Sequence, residues 1–191
     1  MNFWKWAFFT LAGLIVAGVV AFIIFLETPG TSEPLPELHT FRATDHVLTV
    51  KATKEDFEGI ANHFIRKAMK GEPLPVTMSV KDDVILQSEL TVFNITLPVV
   101  MHFDPEVRED GNLILNLSSL EIGAYNMQPS AVLKILRDSF KLPEWMVIRP
   151  KEEEIFLSLT DLPVSGDLVV RAKSFNLAED DIELEIVIPT E

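Results

Sequence analysis

Apolar residues run unbroken through the first segment of this chain and then fall into two distinct periods. Trp6 to Leu26, WAFFTLAGLIVAGVVAFIIFL, is a run of 21 residues without a charge. A helix rises about 1.5 Å per residue, so this run reaches about 30 Å, the thickness of a bilayer's hydrocarbon core. Further on, Phe57, Ile60, Ala61, Phe64, Ile65 and Ala68 recur at three- and four-residue intervals, one stripe of an amphipathic helix. Thr53 is placed as its N-cap, with Asp56 in the capping-box position. Glu55 and Asp56 open the helix, and Arg66, Lys67 and Lys70 close it, as the helix dipole favours. Gly71 is placed as its C-cap. A strand at Val47, Leu48 and Val50 precedes it.

Period two then takes over. Strands are predicted over 76–80 and 84–93. Phe93, Ile95, Leu97, Val99, Met101 and Phe103 alternate with Asn94, Thr96, Pro98, Val100 and His102, a long strand expected to stop at Asp104-Pro105. A turn at 109–112 leads to Leu113, Leu115 and Leu117, after which the apolar parity shifts to Leu120 and Ile122. Such a shift predicts a bulge or bend at the two serines between, and Gly123 breaks the strand. Pro129 opens a second helix with an apolar side of Val132, Leu133, Ile135, Leu136 and Phe140. Strands around Ile155–Leu159, Leu168–Ala172 and Ile182–Ile188 complete the order β-α-β-β-β-β-α-β-β-β. Short turns between strands imply an antiparallel arrangement. The expectation is an α+β fold: an N-terminal transmembrane helix, then one curved antiparallel sheet with the two helices packed on one face.

The first segment sets the expected location. Trp4, Lys5 and Trp6 are placed like membrane-interface residues, and the far side turns acidic at Glu27, Glu33 and Glu37. The positive-inside tendency puts the N-terminus in the cytoplasm and the rest outside. The run is longer than a signal-peptide core and ends in Phe22-Ile-Ile-Phe-Leu26, without a small-residue cleavage site. Gly13, Ala17 and Ala21 recur every fourth residue and are read as ordinary membrane-helix residues. The expected organisation is a cytoplasmic stub and transmembrane anchor over 1–26, a Pro-rich linker over 27–40, and an extracytoplasmic domain over 41–191. The whole is then a single-pass protein of the cell membrane.

Composition narrows the function. The chain has 191 residues, enough for an anchor and one domain with a sizeable core. It contains no cysteine, which excludes disulfides, thiol nucleophiles and thiolate metal sites. Its net charge of −13 speaks against nucleic acid as a partner. None of the four histidines falls in a metal-binding spacing, and His102 with Asp104 forms a pair lacking a third ligand. No GxSxG, SxxK, GxGxxG or P-loop occurs. Glu152-Glu153-Glu154 and Asp180-Asp181 lack the spacing of a calcium loop and are read as solvated turns. No catalytic residue, metal or cofactor is therefore expected.

The stretch HFDPEVREDGNLILNLSSLEIGAYNMQPSAVLKILRDSFKLPEWMV, from His102 to Val147, carries a resemblance. Its elements are Phe-x-Pro before a Gly-Asn turn, an Ile-Gly strand end, and Leu-Pro-x-Trp after the second helix. Together with the anchor and the opening TVKATKEDFEGIANHFI, they resemble the YpmS family of Gram-positive bacterial membrane-anchored proteins, a family of unknown function. The resemblance implies a location and an architecture, and no catalytic residues. In element order the family is similar to tubular lipid-binding domains, in which a curved sheet wraps helices around an apolar groove. On that basis a candidate groove is formed by Leu97, Val99, Met101 and Phe103 facing Val132, Leu133, Leu136 and Phe140. The expected function is binding of an apolar ligand, a lipid or lipid-linked envelope precursor. The alternative is a non-catalytic scaffold for an extracytoplasmic envelope enzyme.

Overall fold

The computed structural model describes residues 3–27, 34–38, 40, 45–70, 75–92, 95–123, 127–139, 141–164, 166 and 168–188, with side chains for all of these except 3–5, 22–23, 25–27, 90, 92 and 95. Gly71 and Phe140 lie outside the described residues, as do the side chains of Trp4 and Lys5. The first helix, α1, spans Phe3–Glu27, and its described side chains from Trp6 to Ala21 are nearly all exposed, Phe9 and Leu14 at 70% each. Among the described residues no helix is long and apolar enough to cross a membrane.

β1 (His46–Ala52) runs directly into α2 (Lys54–Ala68), and the capping box at its start is formed: Asp56 N donates to Thr53 Oγ1 at 3.1 Å, and Thr53 N donates back to the Asp56 carboxylate. Then come β2 (Thr77–Val80), β3 (Val84–Val92), β4 (Ile95–Val107) and β5 (Leu113–Ile122). α3 (Pro129–Ser139) is followed by β6 (Met146–Arg149), β7 (Glu154–Leu157), a short 3-10 turn over Leu159–Asp161, β8 (Val169–Asn176) and β9 (Asp181–Ile188). The fold is α+β, and every strand pairing is antiparallel.

Two sheets form where one was expected. The larger has six strands in the order β2-β3-β4-β5-β7-β6, and the smaller has three in the order β1-β9-β8. Alternation along a strand shows which side chains share a face, and it carries no information about which strand lies alongside. Here β1 pairs with β9 from the far end of the chain, and β9 follows β8 by a tight turn. The segment 146–149, unassigned from sequence, is the edge strand β6 paired to β7.

β4 also runs further than its prolines suggested. Pro98 accepts from Gly123 N on the β5 side, just beyond the last β4–β5 pair, Val99 with Ile122. Pro105 lies beyond the last β3–β4 pair, Val84 with Phe103. Each proline sits where a neighbouring strand has already ended, so its missing N–H removes no ladder bond. The parity shift in β5 is a bulge: His102 pairs with Ser119 and Phe103 with Leu117, leaving Ser118 extra. Ser118 Oγ donates to the His102 carbonyl at 3.1 Å.

The small sheet is laced by charge on one face. The carboxylate of Glu183 on β9 receives Lys51 from β1 at 2.8 Å and Lys173 from β8 at 2.9 Å. These two ammonium groups hold the Glu183 carboxyl well below the usual carboxylate range, pushed down to about 2. The two sheets meet at the β4–β5 turn, where Ala172 N donates to the Gly111 carbonyl at 2.7 Å. Gly111 has φ +81°, and a Cβ there would stand 2.5 Å from Arg171 Cβ. Gly111→Ala is therefore expected to combine left-handed backbone strain with overpacking and to cost about 2–4 kcal/mol. Thermal melting of the variant should fall by on the order of 10 °C.

Candidate functional site

α2 presents its apolar stripe to one face of the large sheet without fully closing on it. Between them lies a cavity of about 140 Å³. One wall is α2, through Phe57, Ile60, Ala61, Phe64, Ile65 and Ala68. The floor is the large sheet, with Met78, Leu86, Ser88, Met101 and Leu115. Leu136 of α3, the segment from Leu142 to Met146 with Trp145, and Leu159 and Leu162 after β7 close the far side. Ile60 is 50% exposed and Leu115 is 2% exposed, so the hollow opens beside α2 and deepens toward the sheet. Among the described residues no charged side chain lines it. A dry apolar cavity of similar size, about 150 Å³, takes up small apolar molecules such as benzene.

Polar tethers hold α2 in place. Lys54 N, in its first turn, donates to Asp180 Oδ1 in the β8–β9 turn at 2.9 Å. Along its flank the Asn62 amide grips the outer edge of β2: Met78 N donates to Asn62 Oδ1 at 2.9 Å, and Asn62 Nδ2 donates to the Met78 carbonyl at 2.7 Å. Val80 N donates to Glu58 Oε2 at 2.9 Å. An edge strand normally leaves such groups to water or to another chain; here one helix takes them. Phe57 meets Phe175 of β8 edge to face, with ring centroids 4.8 Å apart. α2 therefore bridges the two sheets.

Beside the apolar cavity is a second hollow of about 290 Å³, lined by Arg137 and Glu144 as well as apolar residues. Leu142, Pro143, Met146 and Ile148 are common to both. An apolar chamber thus adjoins a polar one across a shared wall.

The candidate groove residues are distributed as follows. Val99, Met101, Phe103, Val132, Leu133 and Leu136 are buried in one core cluster, and Leu97 packs against it partly buried. Met101 and Leu136 line the cavity; the other described members of the set lie outside its lining. Phe103 and Leu133 are 0% exposed and belong to solid core. The stripe of α2, read from sequence only as core, supplies the main cavity wall. Ser88 carried a sequence signal: in Val84, Leu86, Ser88 it occupies a position where the alternation calls for an apolar residue.

The other polar groups weighed earlier have partners. His102 Nδ1 is 2.6 Å from Asp83 Oδ2, and His63 is exposed with its ring against Phe64. Glu152 and Glu154 both pair with Arg149, and Asp181 pairs with Lys51. Among the described residues no three His, Asp or Glu side chains stand together as a metal site.

The geometry defines an α+β protein of two antiparallel sheets with an apolar chamber under a tethered helix. The chain belongs to the family described as an uncharacterized protein conserved in bacteria (DUF2140), which it matches over residues 2–188. It is similar to the uncharacterized protein YpmS of Bacillus subtilis (strain 168), at 24% identity over 189 residues, covering 99% of each chain. No solved structure matches it.

The Asn62 tether gives a direct test of how α2 is held. Asn62→Ala removes both bonds to Met78 and strips the partly buried β2 edge of its partners. The expected loss is about 1–3 kcal/mol, read from chemical denaturation.

Proposed function

We propose that this protein is a membrane-anchored, extracytoplasmic, non-catalytic module that holds a lipid or a lipid-linked envelope precursor in the chamber under α2. The observation that carries this reading is the apolar cavity itself. Interiors are close-packed, and an unfilled hollow forfeits contacts along its whole lining. A chain that keeps one open beside an exposed Ile60 gains most when something apolar fills it. The adjoining hollow, lined by Glu144 and by Arg137 in its ion pair with Asp138, suits the polar end of such an amphiphile. A helix over an apolar space beside an antiparallel sheet supports the likeness to tubular lipid-binding domains in this reading.

In this reading the uncharged run over 6–26 is the anchor, with Trp4, Lys5 and Trp6 at the cytoplasmic interface. Residues 27–40 form the link to the domain. The exposed apolar side chains of α1 support it, because a helix apolar on all sides is at home in lipid. A reporter active only outside the cytoplasm, fused after Glu191, is expected to be active, with the chain retained in membranes after a salt wash. Release of the domain into the medium would overturn the anchor.

The alternative, a scaffold for an extracytoplasmic envelope enzyme, draws support from β1. It is an edge strand whose Val47, Leu48 and Val50 are 47%, 62% and 38% exposed.

Lipid content separates the two readings. Native mass spectrometry of the full-length chain is expected to find co-purified lipid. Ala61→Phe pushes a ring from α2 into the cavity, so bound lipid should fall while the melting temperature stays level or rises. Leu133→Ala, in solid core, should instead cost about 2–5 kcal/mol. Absence of lipid from the parent chain, with Ala61→Phe as destabilising as any overpacked core substitution, would defeat the lipid reading and favour the scaffold.

A further inference from the structure

Among the described residues the cavity contains one hydroxyl, and none of them satisfies it. Ser88 is 7% exposed, on the floor formed by β3, and its Oγ has no hydrogen-bond partner. The rest of the described lining is hydrocarbon, the thioethers of Met69, Met78, Met101 and Met146, and the indole of Trp145. Buried polar groups are nearly always paired, and an unpaired one costs stability that alanine at the same place would not. A lone water does not remove the cost, because a buried water needs several polar partners and the described lining side chains offer the Ser88 hydroxyl and the Trp145 indole N–H alone.

Resting on the chamber reading above, we infer that Ser88 Oγ is the polar recognition point of the cavity, donating to the ester carbonyl of an uncharged acyl lipid. Elimination by chemistry leads to the ester. A hydrocarbon leaves the hydroxyl unpaired. A carboxylate brings a charge into a space with no cation among its described lining residues. An alcohol or amide can accept from Ser88 but adds a proton that itself needs a buried acceptor. An ester carbonyl accepts and has no proton to place. The part of the acyl chain next to the ester then occupies the apolar chamber, and the remainder leaves through the mouth beside Ile60.

Trp145 lines the cavity and provides the readout. Trp4→Phe and Trp6→Phe leave it the only tryptophan in the chain, since the sequence has three. The full-length protein in nanodiscs is titrated with brominated stearic acid methyl ester, the brominated alkane of the same length, and free brominated stearic acid. Each quenches Trp145 fluorescence when it enters the chamber. The ester is expected to bind about fivefold more tightly than the alkane, the net worth of one neutral hydrogen bond. Ser88→Ala should bring the ester to the level of the alkane and leave the alkane unchanged. Ser88→Thr should keep the preference. Without added ligand, Ser88→Ala should melt at or above the parent.

The outcomes that overturn the inference are separable from failure of the chamber reading. Quenching by no probe defeats the chamber. Equal binding of ester and alkane, or a preference that survives Ser88→Ala, leaves the chamber and removes Ser88 from recognition. Tightest binding by the free acid defeats the uncharged ligand. Lower melting of Ser88→Ala in the absence of ligand gives the hydroxyl a structural partner and overturns its role as a recognition point.

Discussion

Met78 lies on an edge strand, and its outward N–H and C=O are both taken by the side-chain amide of Asn62. With Glu58 on Val80 N, these bonds fix the distance between α2 and the sheet. Hydrogen bonds have a set length, whereas dispersion favours ever closer approach until atoms touch. Phe57 and Ile65 are buried in the same core cluster as Met101 and Leu115, while Ile60 stays 50% exposed at the mouth of the hollow. Tethered to the edge of β2 and, at its first turn, to Asp180, α2 is held along one flank and one end. The space beneath it stays open because the polar bonds would have to break for it to close.

That tether depends in turn on the joint between the sheets. Asp180 and Phe175 belong to the small sheet, and Met78 and Val80 to the large one. α2 can reach both only if the sheets hold a fixed relation, and the bond from Ala172 N to the Gly111 carbonyl is a direct backbone link between them. Glycine is required there by conformation and by the Arg171 Cβ pressed against it. The ion pairs of Glu183 with Lys51 and Lys173 keep β1 aligned with β9 and β8, and β1 leads straight into α2. The wall of the cavity is thereby positioned by residues distant from it in sequence.

Legibility from the sequence follows the range of the interaction. The capping box at Thr53 and Asp56 is local, and it forms as the spacing implied. The bulge at Ser118 was legible because a parity change along one strand is itself local. The stop at Pro105 was misread because a proline's effect depends on which neighbour has ended, a fact about β3 rather than β4. The division into two sheets was hidden for the same reason: β1 finds its partner at the other end of the chain. The stripe of α2 announced an apolar face, but a face reads the same over packed core and over a hollow. What separates them are the bonds of Asn62 and Glu58, on the flank of the stripe, where polar residues look like ordinary surface.

The two apolar helices divide the interior between them. α3 gives Val132 and Leu133 to a region with Phe103, which is fully buried and leaves no room for a guest. α2 covers the hollow, with Ile60 at its mouth and Ser88 on its floor. Such a division lets one domain do two things that usually conflict. Close packing around Leu133 and Phe103 supplies the cooperative stability of a cysteine-free fold, and this half need not change when the chamber fills. In the proposed reading the unpaired hydroxyl and the missing contacts lie in the other half, where a guest would supply both. The division is partial, since Met101 and Leu136 belong both to the core cluster and to the cavity lining.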